Sequence, residues 1–401
     1  MPTSFESRSL RGIFSALGQS PNHLSRVERK ELRMKISAVD LFCGAGGLSY
    51  GLEQAGIPVT TGVDIDPDSK YPYEANTDGK FLKADLSKTA RRDPEQISSL
   101  FARDADVRVL AGCAPCQPFS PLNHGGASHE HEKWGLLNAF GTFVETIKPD
   151  IVVMENVFEV RNHRVYEDFV KKLEKLDYWT NDDGENPNVY CPEYDIPQKR
   201  KRWVLVASRD GPIELVDPVH TDVQDYPTVK DKIDHLDAIE AGEVHPDDPL
   251  HQSRTLSETN LERVRLSEPG DTWEAWIDKG REDLILDCHR KDSGSTYKSP
   301  YGRMVPDEPS PTITTQFYNY GSGRFGHYDT SQNRAISLRE GAMLQSFPED
   351  YQFFESEEDI QVTKAGRMIG NAVPPKLAKC VGKSILHHVE MTDRQMTVAD
   401  F

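Results

Sequence analysis

The segment 112–120 carries the side chains best suited to covalent chemistry. It reads Gly-Cys-Ala-Pro-Cys-Gln-Pro-Phe-Ser and follows an apolar run at 107–111 that predicts a buried strand. A turn through Pro115 then places Cys116 just past the end of that strand. In open α/β sheets the reacting groups lie at this edge. A thiol held there by a proline-stiffened loop is a candidate nucleophile.

The pair Cys113-x-x-Cys116 leaves three other interpretations open. A redox dithiol normally opens a helix, but a helix-breaking proline follows here. A structural zinc site needs four ligands, and the sequence offers no second cysteine pair at a suitable spacing. The third alternative is a buried, inert cysteine. We therefore predict no metal site.

A carboxylate and two arginines complete the candidate catalytic set. Glu155 and Asn156 end an apolar run, and a carboxylate in a partly dry site at a sheet edge can act as an acid. Taken alone, Glu155 fits a helix cap or a salt bridge equally well. Arg200 and Arg202 lie two residues apart just before a predicted strand, so both side chains are predicted to point to one face of an extended segment. There they would hold an anionic base, ribose or phosphate. The alternative is a solvated basic run.

An apolar strand that ends in a glycine-rich turn indicates a nucleoside site. Residues 39–47 read Val-Asp-Leu-Phe-Cys-Gly-Ala-Gly-Gly, and Gly44 and Gly46 let the backbone approach a ligand at a helix N-terminus. Asp64 follows Gly44 by about 20 residues, the spacing at which an acid can bond both ribose hydroxyls. Asp85 follows a third short segment and is predicted to accept from an adenine amino group. The alternative is a tight turn that binds nothing.

Apolar runs alternate with helical patterns, which predicts a parallel sheet with helices on both faces. The candidate strands are 36–42, 59–63, 107–111, 151–154 and 203–207, and the candidate helices are 48–55, 68–76, 136–147, 166–176, 337–345 and 375–387. After Ser208 the chain turns to acidic residues, prolines and short mixed segments. The predicted fold class is α/β, with a Rossmann-like domain and a smaller, mostly irregular and β domain.

Four segments follow from this pattern. They are a basic N-terminal arm at 1–35, a catalytic and cofactor-binding domain at 36–209, a second domain at 210–335, and a segment at 336–401 that returns to the first domain. At 401 residues the chain is long enough for one large domain or two unequal ones.

Composition limits the function classes. The net charge of −18 has the wrong sign for a nucleic-acid binder, so DNA binding would need a local basic face such as 8–35. Six scattered cysteines favour a reducing cytosol over a disulfide framework. No apolar run approaches the roughly 20 residues of a membrane helix, and the N-terminus lacks a secretory signal pattern.

Taken together, these segments resemble the DNA cytosine-5 methyltransferases of prokaryotic modification systems. The similar segments are Asp-Leu-Phe-Cys-Gly-Ala-Gly-Gly at 40–47 (the first motif, which binds S-adenosylmethionine), Pro-Cys-Gln at 115–117 (the nucleophile motif), Glu-Asn-Val at 155–157 (the acid motif), Gln-x-Arg-x-Arg at 198–202 (the arginine motif), Arg-Glu-Gly-Ala-Met-Leu-Gln-Ser-Phe-Pro at 339–348 (the ninth motif) and Gly-Asn-Ala-Val-Pro-Pro at 370–375 (the last). All six stand in the family's order, and the resemblance covers about residues 36–385.

The resemblance implies methylation of cytosine C5 in a specific double-stranded DNA sequence, with S-adenosylmethionine as cofactor. Cys116 would add to C6 of a base flipped out of the duplex, and Glu155 would bond N3 and the exocyclic amine. Arg202, with Arg200, would position the base. The implied cofactor residues are Phe42, Gly44, Gly46, Asp64, Ile65, Asp85, Pro115 and Asn371, and the implied DNA contacts are Gln117, Ser120, Arg303, Thr312 and Thr314.

Three segments depart from the family's pattern. Cys113-Ala stands where Gly-Pro is commoner before the nucleophile motif, and Asp64 stands where many members carry Glu. Residues 210–300 match no motif, as the resemblance implies for a variable target-recognition region, and residues 1–35 lie outside the resemblance.

Three other functions fit parts of the sequence. An RNA (tRNA) cytosine-5 methyltransferase uses the same motifs but usually has a much smaller second domain. A catalytically idle DNA-binding regulator would not need Cys116, Glu155 and Arg202 together. A nicotinamide-dependent oxidoreductase explains the glycine loop but not the nucleophile motif. The expected partners are double-stranded DNA and a cognate restriction endonuclease. We expect a monomer without membrane contact in a prokaryotic cytoplasm, at the nucleoid.

Overall fold

Five parallel strands form the centre of a mixed sheet. The computed structural model describes residues 34–115, 130–182, 187–291 and 298–399. Its strands are β1 (Ile36–Leu41), β2 (Val59–Asp64), β3 (Lys80–Lys83), β4 (Val107–Gly112), β5 (Ile151–Val157), β6 (Trp179–Thr180), β7 (Asn188–Tyr190) and β8 (Lys201–Ser208). The sheet order is β3-β2-β1-β4-β5-β8-β6, and β7 pairs with β8. The last three strands run antiparallel to their neighbours.

Helices cover the sheet and continue through the second half of the chain. They are α1 (Gly47–Ala55), α2 (Lys70–Asn76), α3 (Leu86–Arg92), α4 (Glu130–Ile147), α5 (Arg164–Lys175), α6 (Val229–Ile233), α7 (Glu258–Arg265), α8 (Ala275–Asp278), α9 (Leu338–Leu344), α10 (Val362–Asn371) and α11 (Pro375–Ala399). Each strand and helix predicted from residue 36 onward corresponds to an observed one, and the predicted basic arm lies outside the described residues except for its last two positions. The α/β fold class is confirmed, and the main shifts are the earlier start of α4 and the later end of α11.

The central strands are buried on both faces, which explains their continuous apolar sequences. All six residues of β1 are buried between β2 and β4. Leu41 pairs with Gly112 at the end of β4, and Gly112 pairs in turn with Met154 of β5. The carboxyl ends of β1, β4 and β5 therefore meet at one edge. From β1 the chain continues to β2 and β3 on one side and then returns to β4 on the other side of β1. Open α/β sheets bind ligands at such a switch point.

The start of α1 depends on a glycine in a left-handed conformation. Gly46 has φ 94° and is the N-cap of the helix. A side chain at this position would be strained. The turn therefore brings the N-terminal N–H groups of α1 to the same edge of the sheet as the ends of β1 and β4.

The region 210–335 is irregular with short helices. Its β structure in the described residues consists of isolated bridges, such as Val244 with Gln252 and Arg303 with Gly326. One hydrophobic cluster joins Ile233 of α6 and Phe317 to Leu344 of α9 and Ile369 of α10. The core of this region is therefore continuous with that of the C-terminal segment.

The C-terminal helix α11 packs along α1. From Met34 onward the chain groups as one compact unit. The bounds of the predicted domains stay a prediction. None of the helices in the described ranges is long and apolar enough to cross a membrane.

Candidate active site

A cavity of about 210 Å³ opens at the carboxyl ends of β1 and β2. Five of the predicted cofactor residues lie in its wall: Phe42, Gly44, Asp64, Pro115 and Asn371. Sequence reasoning did not assign the other polar side chains of this wall to the cofactor site; they are Asp40, Cys43, Asp66, Ser69, Cys113 and Arg367. The wall therefore combines apolar surface with three carboxylates and backbone at the start of a helix.

Asp64 is fixed by backbone donors. Its Oδ2 accepts from Gly44 N at 3.0 Å, and its Oδ1 accepts from Asp66 N at 2.8 Å. Burial raises the pKa of Asp64 above its ordinary value, and these N–H donors oppose the shift. The carboxylate thus ties the glycine loop to the end of β2 and holds both elements against the cavity.

Asp40 is a completely buried acid beside the same cavity. Its Oδ2 accepts from Ser49 Oγ at 2.7 Å, and Ser49 Oγ lies 3.0 Å from Tyr73 Oη. In the described part of the chain its Oδ1 has no hydrogen-bond partner. Burial raises the pKa of Asp40 to about 7, and the charge of Asp64 adds to the rise. The signal that would have indicated Asp40 is a charged residue inside an otherwise apolar strand.

Two residues near the cavity have unusual exposure or backbone geometry. Phe42 has φ 61°, a left-handed conformation that non-glycine residues adopt rarely. Ile65 does not form part of the cavity wall in the described residues and is 60% exposed, although large apolar side chains are usually covered. An exposed apolar side chain directly after Asp64 is a suitable platform for a planar ring.

Gly46 and Asp85 have structural functions. Gly46 lies at the N-cap of α1 and outside the cavity wall. Asp85 caps α3: its Oδ1 accepts from Ser87 N and Lys88 N, and Lys88 Nζ lies 2.9 Å from its Oδ2. The bonds from Lys88 and Ser87 lower the pKa of Asp85 to about 2. The predicted adenine contact of Asp85 stays a prediction.

Glu155 and Arg202 form a nearly buried ion pair. Arg202 Nε lies 2.9 Å from Glu155 Oε1, and the side chains are 11% and 5% exposed. The pairing of β5 with β8 places Val157 opposite Arg202, which brings the guanidinium to the carboxylate. A buried carboxylate requires such a partner because an unpaired charge is costly to desolvate.

The loop after β4 is bonded to the end of β5 by two successive residues. Cys113 Sγ donates to Glu155 Oε2 at 2.8 Å, and the Ala114 carbonyl accepts from Asn156 Nδ2 at 3.0 Å. Cys113 also lies in the cavity wall, so it connects the cavity to the Glu155–Arg202 pair. The predicted nucleophile follows directly, but Cys116, Gln117 and Ser120 lie outside the described residues.

Arg200 does not share the surroundings of Arg202. It is 3% exposed, and its Nη1 donates to Gln198 Oε1 and to the Ile313 carbonyl, both at 3.1 Å. Gln198 Nε2 in turn donates to Gln345 Oε1 at 2.6 Å. These contacts join the arginine motif to the segment around 313 and to the end of α9. These contacts of Arg200 are with protein groups, and its predicted position beside the base together with Arg202 stays a prediction.

Arg303 is buried and hydrogen-bonded on all three guanidinium nitrogens, and its predicted DNA contact stays a prediction. Its exposed fraction is 0%. Its guanidinium donates to the carbonyls of Val264, Ser267, His327, Asp329 and Gln332 and to Asn333 Oδ1. A guanidinium has five N–H donors, and these acceptors occupy all three of its nitrogens. Arg303 therefore holds distant loops together.

The other described DNA candidates lie on the segment that packs against α10. Thr312 Oγ1 donates to the Lys199 carbonyl at 2.8 Å, and Thr314 Oγ1 accepts from Gln316 N at 3.3 Å. A Cβ at Gly370 would lie 2.4 Å from the carbonyl carbon of Thr314, so only glycine permits this approach. Both threonines are partly exposed, and their DNA contacts stay predictions.

The described residues contain no group of three or more His, Cys, Asp or Glu side chains that could hold a metal ion.

Sequence comparisons identify the family. A family model described as C-5 cytosine-specific DNA methylase matches residues 36–387. Type II methylase M.HgiDII of Herpetosiphon aurantiacus is 42% identical over 357 residues, which cover 88% of this chain and 96% of that protein. Type II methyltransferase M1.HphI of Haemophilus parahaemolyticus is 31% identical over 362 residues, which cover 88% of this chain and 87% of that protein.

A solved structure agrees on the fold. Methyltransferase EhMeth of Entamoeba histolytica superposes with a TM-score of 0.60 at 14% identity, covering 88% of this chain and 99% of that one. The family model and the high identity extend across nearly the whole region that contains the cavity and the Glu155–Arg202 pair. The chain belongs to the C-5 cytosine-specific DNA methylase family and is a DNA cytosine-5 methyltransferase of the prokaryotic modification type.

Proposed function

We propose that this protein methylates cytosine C5 in a specific double-stranded DNA sequence through a covalent adduct between Cys116 and C6. The observation that carries the proposal is the Glu155 carboxylate, held by Arg202 and Cys113 beside the cavity. Cytosine C5 is a weak nucleophile, and a thiolate that adds at C6 moves an electron pair toward C5. Cys116, four residues after the end of β4 in the sequence, would supply that thiol.

The Glu155 carboxyl group supports this addition. As the Cys116–C6 bond forms, negative charge develops on the ring at N3 and O2. A proton held between Glu155 and N3, with Oε1 also paired to Arg202, stabilises that charge. After methylation at C5, loss of the C5 proton and expulsion of the Cys116 thiolate restore the C5–C6 double bond. The reacting carbons are inaccessible in stacked duplex, so the base has to leave the helix.

Methyltransferases of this family and fold use S-adenosylmethionine, which supplies the methyl group when it is bound. The cavity suits a cationic nucleoside because Asp40, Asp64 and Asp66 line it. Asp40 adds a buried carboxylate whose Oδ1 has no hydrogen-bond partner among the described residues, and Asp64 is placed to accept from ribose hydroxyls. Phe42, Pro115 and Asn371 supply the remaining contacts, with Ile65 as an apolar platform at the rim.

We further propose that target choice resides in 210–335, with Thr312 and Thr314 close to the DNA. The named relatives are Type II methylases, which supports a cognate restriction endonuclease as a partner. That the protein acts on DNA as a monomer in a prokaryotic cytoplasm is part of the same proposal. Exchange of residues 210–335 with a relative of known target should transfer the methylated sequence. An active chimera that keeps the recipient's target would contradict this assignment.

Trapping with 5-fluorocytosine tests the covalent mechanism. The target is first found by bisulfite sequencing of DNA from a host that lacks other cytosine methylation. A duplex with 5-fluorocytosine at that position should give a protein–DNA band on a denaturing gel, because fluorine cannot leave as a proton does. Cys116→Ala should lose the band, and Cys380→Ala, a thiol in α11, should keep it.

Two results would overturn the proposal. Absence of the band on a sequence that is methylated when unfluorinated would contradict the covalent adduct. A band that forms with tRNA and not with DNA would favour the RNA methyltransferase.

A further inference from the structure

We infer that Cys113 is a positioning residue of the methyl transfer, which acts by orienting the carboxylate of Glu155; the inference rests on the proposed function of Glu155. Cys113 is not the predicted nucleophile, and glycine is commoner at this place in the motif. Its thiol nevertheless donates to Glu155 Oε2 at 2.8 Å and lies in the wall of the cofactor cavity.

The two carboxylate oxygens of Glu155 have different partners. Oε1 lies 2.9 Å from Arg202 Nε, while Arg202 Nη1 donates to the Lys201 carbonyl at 2.8 Å. Oε2 receives the Cys113 thiol. One contact on Oε1 leaves the carboxylate plane able to rotate about its terminal bond, and a second contact on Oε2 removes that freedom. The thiol thus determines which way the carboxylate presents its lone pairs.

The backbone holds the thiol in place. Gly112 of β4 pairs with Met154 of β5, directly before the two contacting residues. Ala114 is then bonded to Asn156 through its carbonyl, so the loop is held on both sides of Cys113. A glycine at 113 would keep this backbone arrangement but have no side-chain donor for Oε2. The contact is therefore a feature of this chain's own sequence.

A positioning function predicts a selective kinetic effect. Orientation of a catalytic group affects the transition state more than ligand binding. Loss of the thiol should slow methyl transfer about fivefold to twentyfold, since a hydrogen bond to a charged group is strong but sulfur is a weak donor. Affinity for S-adenosylhomocysteine and for DNA should stay within about twofold of the wild-type values.

The test compares Cys113→Ala and Cys113→Gly with Cys113→Ser in single-turnover transfer of a tritiated methyl group to unmethylated DNA. Alanine and glycine should both be slow, and serine, which keeps a donor, should recover the rate to within about threefold. Cys380→Ala is the matched control for removal of a thiol and should behave as wild type. Thermal melting checks that each variant folds. If Cys113→Ala does not fold, Cys113→Gly is compared with Cys113→Ser instead.

A double-mutant cycle with Glu155→Gln separates positioning from general damage. If Cys113 acts through Glu155, Cys113→Ala should slow the wild-type enzyme but not the residual activity of the Glu155→Gln enzyme. A wild-type rate in Cys113→Ala would overturn the inference. Equal slowing by Cys113→Ala in the wild-type enzyme and in the Glu155→Gln enzyme would overturn it as well. A wild-type protein that forms no 5-methylcytosine in DNA would instead overturn the proposed function.

Discussion

Arg202 Nε lies 2.9 Å from Oε1 of Glu155, with both side chains almost fully withdrawn from solvent. The residues belong to antiparallel neighbours, β5 and β8, in a sheet whose other central strands are parallel. Because β8 runs the opposite way, its start lies next to the end of β5. The reversal of one strand thus delivers a cation to the sheet edge where the acid lies.

Replacement of Arg202 by alanine should be strongly destabilising. It leaves the Glu155 carboxylate buried without its cation, and breaking one half of a buried pair typically costs about 3–5 kcal/mol. Urea unfolding measures the loss, and methyl transfer should fall with it by at least about a hundredfold. Arg164→Ala is the control, since that residue's pair with Asp168 is exposed and worth below about 1 kcal/mol. Equal free energies of unfolding for Arg202→Ala and Arg164→Ala would contradict the argument that burial makes the Glu155–Arg202 pair important for stability.

Replacement of Asp64 by alanine should weaken cofactor binding more than DNA binding. The carboxylate lies in the cavity wall, and losing a charged hydrogen-bond partner of the ribose should cost about 1.5–3 kcal/mol of binding free energy. Calorimetry with S-adenosylhomocysteine gives the value. An unchanged dissociation constant would mean that another residue holds the ribose.

Asp85→Ala should lower the free energy of unfolding by about 1 kcal/mol, the usual value of a helix N-cap. The reason is that Asp85 accepts from Ser87 N and Lys88 N at the start of α3. The same protein, titrated with S-adenosylhomocysteine, also tests the predicted adenine contact. Weaker binding supports that contact, and unchanged binding leaves Asp85 with the cap alone.

Arg303→Met should destabilise the fold without a specific effect on DNA. Removal of the guanidinium leaves a group of buried carbonyls without donors, which should cost more than about 3 kcal/mol. A true phosphate contact would instead leave stability intact and reduce the slope of log affinity against log salt by about 0.9. Denaturant unfolding and a salt titration of DNA binding distinguish the two outcomes.

The strands that the sequence predicted are those buried on both faces, where apolar runs are continuous. Three strands were not predicted: β3 is short and mostly exposed, and β6 and β7 have two and three residues. The sequence analysis also missed α10, because Gly366 and Gly370 are poor helix formers. Both glycines are needed there: a Cβ would lie 2.3 Å from the Tyr318 ring and 2.4 Å from Thr314. Such packing between distant segments leaves no local pattern.

The residues of the candidate site differ in the same way in how far the sequence predicts them. The cavity residues Gly44 and Asp64 follow from a strand, a glycine turn and a spacing, all of which are local in sequence. The surroundings of Arg303 depend on carbonyls from 264 to 332, and those of Arg200 on the segment around 313 and on α9. Sequence identifies arginine as a strong donor, but only the tertiary structure determines whether its acceptors are phosphates or backbone.

Asp40 should make the stability of the protein depend on pH in an unusual direction. Burial raises its pKa from 3.8 to about 7 in the folded protein. Between these two values the folded state binds more protons than the unfolded state, so the free energy of unfolding falls as pH rises. Below pH 3.8 both states are protonated and above about 7 both are ionised, so the contribution of Asp40 is constant outside this window.

Asp40→Asn should remove this contribution, because the amide oxygen can still accept from Ser49 and carries no charge. Urea unfolding of both proteins at pH 5, 6, 7 and 8 gives the difference. Wild type should lose stability relative to Asp40→Asn steeply from pH 5 to 7 and only slightly from pH 7 to 8, where the two curves converge toward parallel. Glu53, whose pKa burial also raises to about 7, is present in both proteins and cancels. Parallel curves over the whole range would mean that Asp40 is ionised throughout, with a cation or water at its second oxygen.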